Sequence, residues 1–165
     1  MSRLKLFVDQ ICTARKYTNR LLDATDIKDW FRQPHEGVTH IAWQVGHLAM
    51  ADYRLGLDRI RGPRPEDESL ISTSFLQLFG RDSVPAEAAK YPSLADIRNV
   101  FDRVHAQMLT ELGSLSESDL DAPTLKPHSL FTTKGGSLQW CAQHEAIHAG
   151  QIGLLRRLLG YAPMW

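Results

Sequence analysis

The chain has 165 residues, of which 43% are hydrophobic and 23% charged, and its 19 basic side chains balance 19 acidic ones, so the formal net charge is zero. This length predicts a single domain over residues 1–165 with a sizeable core, and the charge balance argues against nucleic acid or an anionic membrane as a partner. No apolar run is long enough to span a bilayer and no signal-peptide pattern is visible, so we expect a cytoplasmic protein.

Four segments repeat apolar residues at the i, i+3, i+4, i+7 spacing that is typical of an amphipathic helix. In chain order these segments cover residues 3–22, 39–61, 93–113 and 137–160. Thr39, Ser93 and Ser137 are the expected N-caps, and Ser93 forms a capping-box pattern with Asp96.

The connections between these segments show no strand alternation. Residues 23–38 and 114–136 are expected to be loops, and residues 65–92 form a long crossover. Within the crossover, the apolar stretch 69–79 (SLISTSFLQLF) predicts a short extra helix. The pattern therefore predicts an all-α four-helix bundle whose long crossover carries a short helix.

The fourth segment contains a histidine pair, His144 and His148. Residues four apart lie one turn apart on the same side of a helix, so the two imidazoles could hold one metal ion. Both histidines and Gln151 fall in the middle of an apolar stripe that we expect to face the core, where polar groups need partners. The apolar members of that stripe are Trp140, Cys141, Ile147, Leu155 and Leu158.

The pair also completes the sequence HEAIH, which matches the HExxH motif of zinc metalloproteases with Glu145 as general base. The remainder of the chain is not typical of a peptidase. No sheet is predicted to bind an extended substrate, and the residues after His148 continue as a helix instead of turning at a glycine. We therefore disfavour the protease interpretation.

The second segment contains His47 on a polar side that also bears Trp43, which suits the wall of a pocket. For His47 alone, the pattern favours an ordinary, partly exposed helix face. His105 lies on the apolar stripe of the third segment and is interpreted as a core histidine. His35 and His128 follow prolines in loops, where they could rim a pocket.

Two stretches together resemble the DinB/YfiT-like family of metal-binding four-helix bundles: residues 39–54 (THIAWQVGHLAMADYR) and residues 144–160 (HEAIHAGQIGLLRRLLG). In that family, one histidine on the second helix and two in an HxxxH motif on the C-terminal helix bind the metal. The resemblance therefore implies a metal site formed by His47, His144 and His148.

Three nitrogen ligands leave coordination positions for water or substrate, as in a catalytic site. Zinc or nickel is the expected ion, with iron or manganese as alternatives. Gln151, one turn after His148, is expected to orient a ligand or bound water. His40 and Arg54 would flank the site along the second helix.

The family resembles transferases and isomerases that use low-molecular-weight thiols, and it includes members called metal-dependent hydrolases. Our hypothesis is that the metal lowers the pKa of a thiol cosubstrate or a water, so that the nucleophilic anion forms near neutral pH. Arg54 could receive a carboxylate of a small-molecule substrate. Glu145 and His40 are candidates for the general base.

The rival hypothesis is a protein without turnover: a metal- or ligand-binding bundle, or a stress-response protein whose histidines are vestigial. Family resemblance does not decide between these functions, because one fold hosts many chemistries. By analogy with other bundles of this kind, we expect a homodimer.

Overall fold

The computed structural model describes residues 1–164 and is helical throughout its regular structure. The α-helices, in chain order, are α1 (Arg3–Asp23), α2 (Ile41–Tyr53), α3 (Arg59–Arg61), α4 (Asp67–Leu70), α5 (Thr73–Leu78), α6 (Leu94–Leu112) and α7 (Lys134–Leu158). Within residues 1–164, strand-like pairing is limited to one isolated antiparallel bridge between Pro123 and Thr133. The prediction of an all-α bundle is therefore confirmed.

The four predicted segments correspond to α1, to α2 with α3, to α6 and to α7. A π-helical turn, Arg54–Asp58, joins α2 to α3, so the second segment is one continuous rod with a widened turn near its end. The crossover holds two short helices, α4 and α5, where a single one is predicted. Three short 3-10 turns, Ile27–Asp29, Ala88–Lys90 and Ser118–Asp121, lie in the connections.

One of the three predicted N-caps is correct. Ser93 accepts a hydrogen bond from the Asp96 backbone N–H, as the capping box predicts. At the start of α2, His40 is the cap instead of Thr39, because its ring Nδ1 accepts from the Trp43 N–H at 3.0 Å. The prediction at Thr39 is therefore wrong by one residue.

The α7 helix begins earlier than predicted, and its cap is Thr133, whose hydroxyl accepts from the Gly136 N–H at 3.1 Å. The prediction of a cap at Ser137 is wrong, because Gly135 and Gly136 do not interrupt the helix. A Cβ at Gly136 would lie 2.8 Å from the Phe131 Cβ, so this glycine allows a close approach of the preceding loop.

The core forms where α1 packs along α7 and α2 packs along α6. Each fully buried large side chain contributes about 1.5–3 kcal/mol of hydrophobic stabilisation. One contact positions the functional site: the Phe79 ring from the crossover fits against Gly46, where a Cβ would come within 2.4 Å of the ring. Large side chains with almost no exposure include Ile11, Leu21, Leu22, Ile41, Leu48, Phe79, Ile97, Phe101, Met108 and Leu112.

The core-facing side of α7 differs from the prediction by roughly a quarter turn. Ile147 is 50% exposed, Leu158 is 46% exposed, and Gln151 is also exposed. The side that meets the core contains Leu138, Cys141, Glu145, Ala149, Ile152 and Leu155. His144 and His148 consequently lie at the edge of the buried face instead of at its centre. None of the helices within residues 1–164 combines the length and apolar character needed to cross a membrane.

Candidate metal centre

Three histidines from two helices lie close together, and we call them the histidine cluster: His47 from α2, and His144 and His148 from α7. Each offers a ring nitrogen, and these nitrogens all lie within 4.8 Å of one another. The ring centroids are 4.4 Å apart for the α7 pair, and 4.7 Å and 5.3 Å from His47 to His148 and to His144. This spacing fits three imidazoles that share one ion.

Hydrogen bonds to neighbouring residues outside the cluster, which we call outer hydrogen bonds, fix the orientation of two of the three rings. The Nδ1 of His47 donates to the Phe79 carbonyl oxygen at 2.9 Å, and the Nδ1 of His148 donates to the side-chain oxygen of Gln44. Because these partners only accept, Nδ1 carries the proton and the Nε2 lone pair is left for a metal. Within residues 1–164, the His144 ring has no hydrogen-bond partner of its own.

Burial keeps the cluster neutral. His47 is 6% exposed and His148 is 8% exposed. Burial, followed by the nearby imidazoles, lowers the pKa of His144 to about 4 and that of His148 to about 3. Burial also lowers the pKa of His47. The three rings therefore hold the unprotonated form that binds metals at neutral pH.

Two tryptophans flank the cluster. The Trp43 ring stacks on the His47 ring with centroids 4.7 Å apart and an interplanar angle of 16°. Its indole N–H donates to the Ser83 hydroxyl at 2.9 Å, which anchors the indole to the crossover. Trp140 lies against His144 with centroids 6.2 Å apart. These contacts pack an aromatic ring against His47 and another against His144.

The cluster lies in the wall of a pocket with a volume of about 670 Å³. The lining is aromatic, aliphatic and basic, and it contains no aspartate or glutamate. The residues that line it are Trp43, His47, Met50, Ala51, Arg54, Leu55, Arg59, Arg81, His128, Ser129, Leu130, Trp140, His144 and His148. Arg54 and His128, both considered from sequence, therefore reach the same pocket as the cluster.

Glu145 is not brought to the cluster, although it follows His144 directly. Its carboxylate is 1% exposed and accepts from the Nε of Arg15 at 2.7 Å, on the bundle side of α7. A general base must reach the substrate or its water. The HExxH resemblance therefore extends to the two histidines and not to the position of the glutamate.

His40 and Gln151 also lie away from the pocket lining. His40 is fully buried, caps α2 through Nδ1, and donates from Nε2 to the Ala86 carbonyl at 3.3 Å. Both of its ring nitrogens are thus engaged in structure. Gln151 is exposed on α7, because that helix is rotated relative to the prediction.

The residue that orients His148 is Gln44 from α2, which the sequence analysis did not single out. Gln44 is 1% exposed, and its side chain accepts the hydrogen bond described above. The available signal was a glutamine three residues before His47, on a helix of mostly apolar residues. Arg59 and Arg81 were missed as well, because their approach to the pocket depends on the π-helical turn and on the crossover.

A second polar group, the arginine network, lies in the bundle interior: Arg15, Asp52, His105, Cys141 and Glu145. Arg15 donates to Glu145 at 2.7 Å and to Asp52 at 2.9 Å. Asp52 also accepts from His105 at 3.0 Å and from the Cys141 thiol at 3.2 Å. Although burial opposes it, Arg15 together with His105 keeps the pKa of Asp52 below its usual value. Burial raises the pKa of Glu145.

Comparison with known proteins agrees with this architecture. The sequence-family model of the DinB superfamily matches residues 10–152 of this chain. Among solved structures, the chain is similar to a conserved protein from Enterococcus faecalis, with a TM-score of 0.66, 17% sequence identity, and coverage of 98% of this chain and 99% of that one. At this identity the likeness concerns the fold alone. A comparison with curated proteins finds no match.

Proposed function

Because the chain belongs to the DinB superfamily, we propose that His47, His144 and His148 bind one divalent metal ion and that the site activates a thiol for transfer to an electrophilic small molecule. One observation carries this proposal. Three neutral imidazoles converge within 4.8 Å at the wall of a pocket. Two of them are held by outer hydrogen bonds that leave Nε2 available.

The donor set fits a borderline divalent ion. Imidazole nitrogens suit zinc or nickel, with iron or manganese as alternatives. Three protein ligands leave at least one position open toward the pocket, as in catalytic sites. When bound there, such an ion would lower the pKa of a thiol so that the thiolate forms near neutral pH. The chain's own contribution is to hold the three rings neutral, oriented and shielded by Trp43 and Trp140.

The pocket lining favours a thiol over water as the nucleophile. Hydrolysis commonly uses a general base beside the water, yet no carboxylate lines this pocket. His128 accepts from the Leu130 N–H through Nδ1 at 3.2 Å, so in its neutral form the proton is on Nε2. This ring is therefore set to donate a hydrogen bond to a substrate, and Arg54 is the residue we propose to contact its anionic group.

We also propose that the protein is a cytoplasmic homodimer. Both cysteines, Cys12 and Cys141, are free thiols, as expected in a reducing compartment. Along α7, the side chains of Ile147, Leu154 and Leu158 are about half exposed, and apolar side chains on one helix face suit association of two copies. Sedimentation equilibrium of the wild type and of Leu154→Glu tests this: the variant should be monomeric, and a monomeric wild type contradicts the dimer.

Metal content is the first test. Protein purified without a polyhistidine tag should contain about one zinc or nickel ion per chain by elemental analysis, and His144→Ala should lose it. His35→Ala is the matched control, because His35 is exposed in a loop. A wild type that binds no zinc, nickel or manganese after reloading would overturn the proposal and favour a role without metal.

Activity is the second test. The nickel-loaded protein should develop a thiolate-to-metal absorption band with mercaptosuccinate, and it should accelerate transfer of this thiol to chlorodinitrobenzene. Hydrolysis of nitrophenyl acetate without thiol transfer would make the protein a hydrolase. A bound metal with neither activity would favour the hypothesis of a binding protein.

A further inference from the structure

The charges around the pocket are of one sign. Three arginines, Arg54, Arg59 and Arg81, line it, no acidic residue does, and the imidazoles of the cluster are neutral. The chain as a whole has no net charge, so this excess of positive charge is local. A partly enclosed, positively charged pocket raises the local concentration of anions.

None of these three arginines forms an ion pair within residues 1–164. Six of the other ten arginines form ion pairs, at positions 3, 15, 32, 61, 64 and 98, and the remaining four form none within this range. Asp58, the acidic neighbour of Arg59, accepts from the Lys126 ammonium at 2.7 Å instead. The three pocket guanidinium groups are thus left without a carboxylate partner among the described residues, although they line one pocket.

One hydrogen-bond donor of the Arg59 side chain has no acceptor among the described residues. Its Nη1 donates to the Arg54 carbonyl at 3.3 Å, but its Nε is buried and has no partner among the described residues. Burial lowers its pKa, and the charge of Arg54 acts in the same direction, while Asp58 partly offsets them. A buried donor without an acceptor is costly, and the side chain that carries it is one that lines the pocket.

The π-helical turn brings two of the arginines together. The Arg59 backbone N–H bonds to the Arg54 carbonyl, an i to i+5 bond. In a regular α-helix, residues five apart are separated by about 140° around the axis. The widened turn instead places them on one side of the rod, and π turns frequently occur at functional sites. The crossover supplies Arg81 to the same pocket.

Two of the three charges also act on a histidine that lines the pocket. Arg59 and Arg81 both contribute to the lowered pKa of His128, after burial. Their positive charge therefore reaches the His128 ring, which lines the same pocket.

We propose that Arg54, Arg59 and Arg81 form an oxyanion-binding site that holds a carboxylate or phosphate group of a small substrate in this pocket. The assignment of that ligand as a substrate rests on the proposed function, whereas the anion site itself requires no metal. Guanidinium groups match carboxylate and phosphate oxygens in bidentate pairs. The apolar wall, which includes Met50, Leu55 and Leu130, suits the carbon body of the ligand.

Calorimetric titration of the metal-free protein with succinate and with inorganic phosphate tests this site at low ionic strength. The wild type should bind at least one of the two anions, and the tighter one identifies carboxylate or phosphate as the preferred group. Arg59→Gln and Arg81→Gln should each weaken binding about tenfold, and added sodium chloride should weaken binding to the wild type. Arg157→Gln, at an exposed arginine near the end of α7, should bind like the wild type.

Two results would overturn the site: absence of binding by both anions, or equal affinities for wild type, Arg59→Gln and Arg81→Gln. Thermal unfolding of each variant checks that the fold is retained, and Arg59→Lys, which keeps the charge without the planar fork, should bind with intermediate affinity. The anion site and the metal-dependent function can be overturned independently of each other. Loss of anion binding with intact metal content leaves the metal site standing, and anion binding without any metal overturns only the proposed function.

Discussion

The histidine cluster and the arginine network both draw residues from α2 and α7, and the network adds Arg15 from α1 and His105 from α6. The polar atoms of the two groups find their partners in different ways. His47 and Asp52 both belong to α2, and His144 and Glu145 are neighbours on α7. In each group, three side chains bring potential ligand atoms within 4.8 Å of one another. In the network, Arg15 lies among the carboxylates as an internal cation. In the cluster, no cationic side chain from residues 1–164 forms a hydrogen bond with the rings, whose partners are Phe79 and Gln44.

This difference shows that ligand-like spacing does not by itself identify a metal site. Two buried carboxylates and a histidine need positive charge, and Arg15 supplies it from within the chain. In the cluster, Nδ1 of His47 and Nδ1 of His148 are engaged, so their Nε2 lone pairs are left to be satisfied. No partner for these two atoms is found among the described residues. Consecutive residues of the HEAIH sequence serve these two regions separately: the histidines face the pocket and Glu145 faces the network.

Removal of Arg15, the internal cation of the arginine network, should have the largest effect on the free energy of unfolding. Arg15→Met leaves Glu145 buried without a partner and Asp52 with only His105 and Cys141, so we expect a loss of about 3–5 kcal/mol in the free energy of unfolding. Urea denaturation measures this loss. Arg32→Met, at an exposed arginine whose partner Asp29 also accepts from Tyr161, should cost less than about 1 kcal/mol. Equal effects of the two variants would mean that the network is not held by its charge pairing.

Loss of the hydrogen bond between His148 and Gln44 should lower the metal affinity of the cluster without unfolding the protein. Gln44→Leu removes the acceptor that orients His148, and outer partners of this kind typically contribute a factor of about 10–100 in metal affinity. Competition with a chromogenic chelator measures the affinity. Gln143→Leu, at an exposed position on α7, is the control. Unchanged affinity in Gln44→Leu would show that the His148 ring needs no such support.

The stability of the metal-free protein should fall as pH decreases. His144 and His148 have folded-state pKa values of about 4 and about 3, below the unfolded value of about 6.5. The unfolded state therefore takes up protons first as the pH falls below 6.5, and this loss of stability continues until the folded-state pKa is reached. Between pH 6.5 and 5.5 each histidine should cost about 1 kcal/mol.

Chemical denaturation at both pH values measures this decrease, and His144→Gln should reduce it by one histidine's share. The difference between wild type and variant isolates the cluster from the other titrating groups. A decrease of the same size in both proteins would place the pH dependence elsewhere, with the charged network as the next candidate.

The smallest effect on function is expected for Glu145→Gln. The amide can still accept from Arg15, and the side chain does not reach the pocket, so metal content and the rate of thiol transfer should change less than about twofold. A general base would contribute a factor of about 10²–10⁴. A decrease of that size in the rate of thiol transfer, with metal retained, would indicate that Glu145 acts as a general base. It would contradict the separation of the two regions.

Several features could be predicted from the sequence because they depend on local patterns. Apolar periodicity located the four long helices, and Ser93 is the N-cap of α6 as expected. The i, i+4 spacing of His144 and His148 placed two imidazoles side by side. The resemblance to the DinB/YfiT-like family added His47, and the family is confirmed by the match over residues 10–152.

The sequence by itself thus determined the helices, the family and the three histidines of the cluster. The tertiary structure alone decided which side of α7 is buried and which polar groups pair. On this helix Ile147 and Leu158 are apolar but exposed, whereas Glu145 is charged but buried. Apolar periodicity therefore indicated the wrong face. Glu145 is buried because Arg15, which lies 130 residues away along the chain, neutralises it, and no local pattern contains that partner.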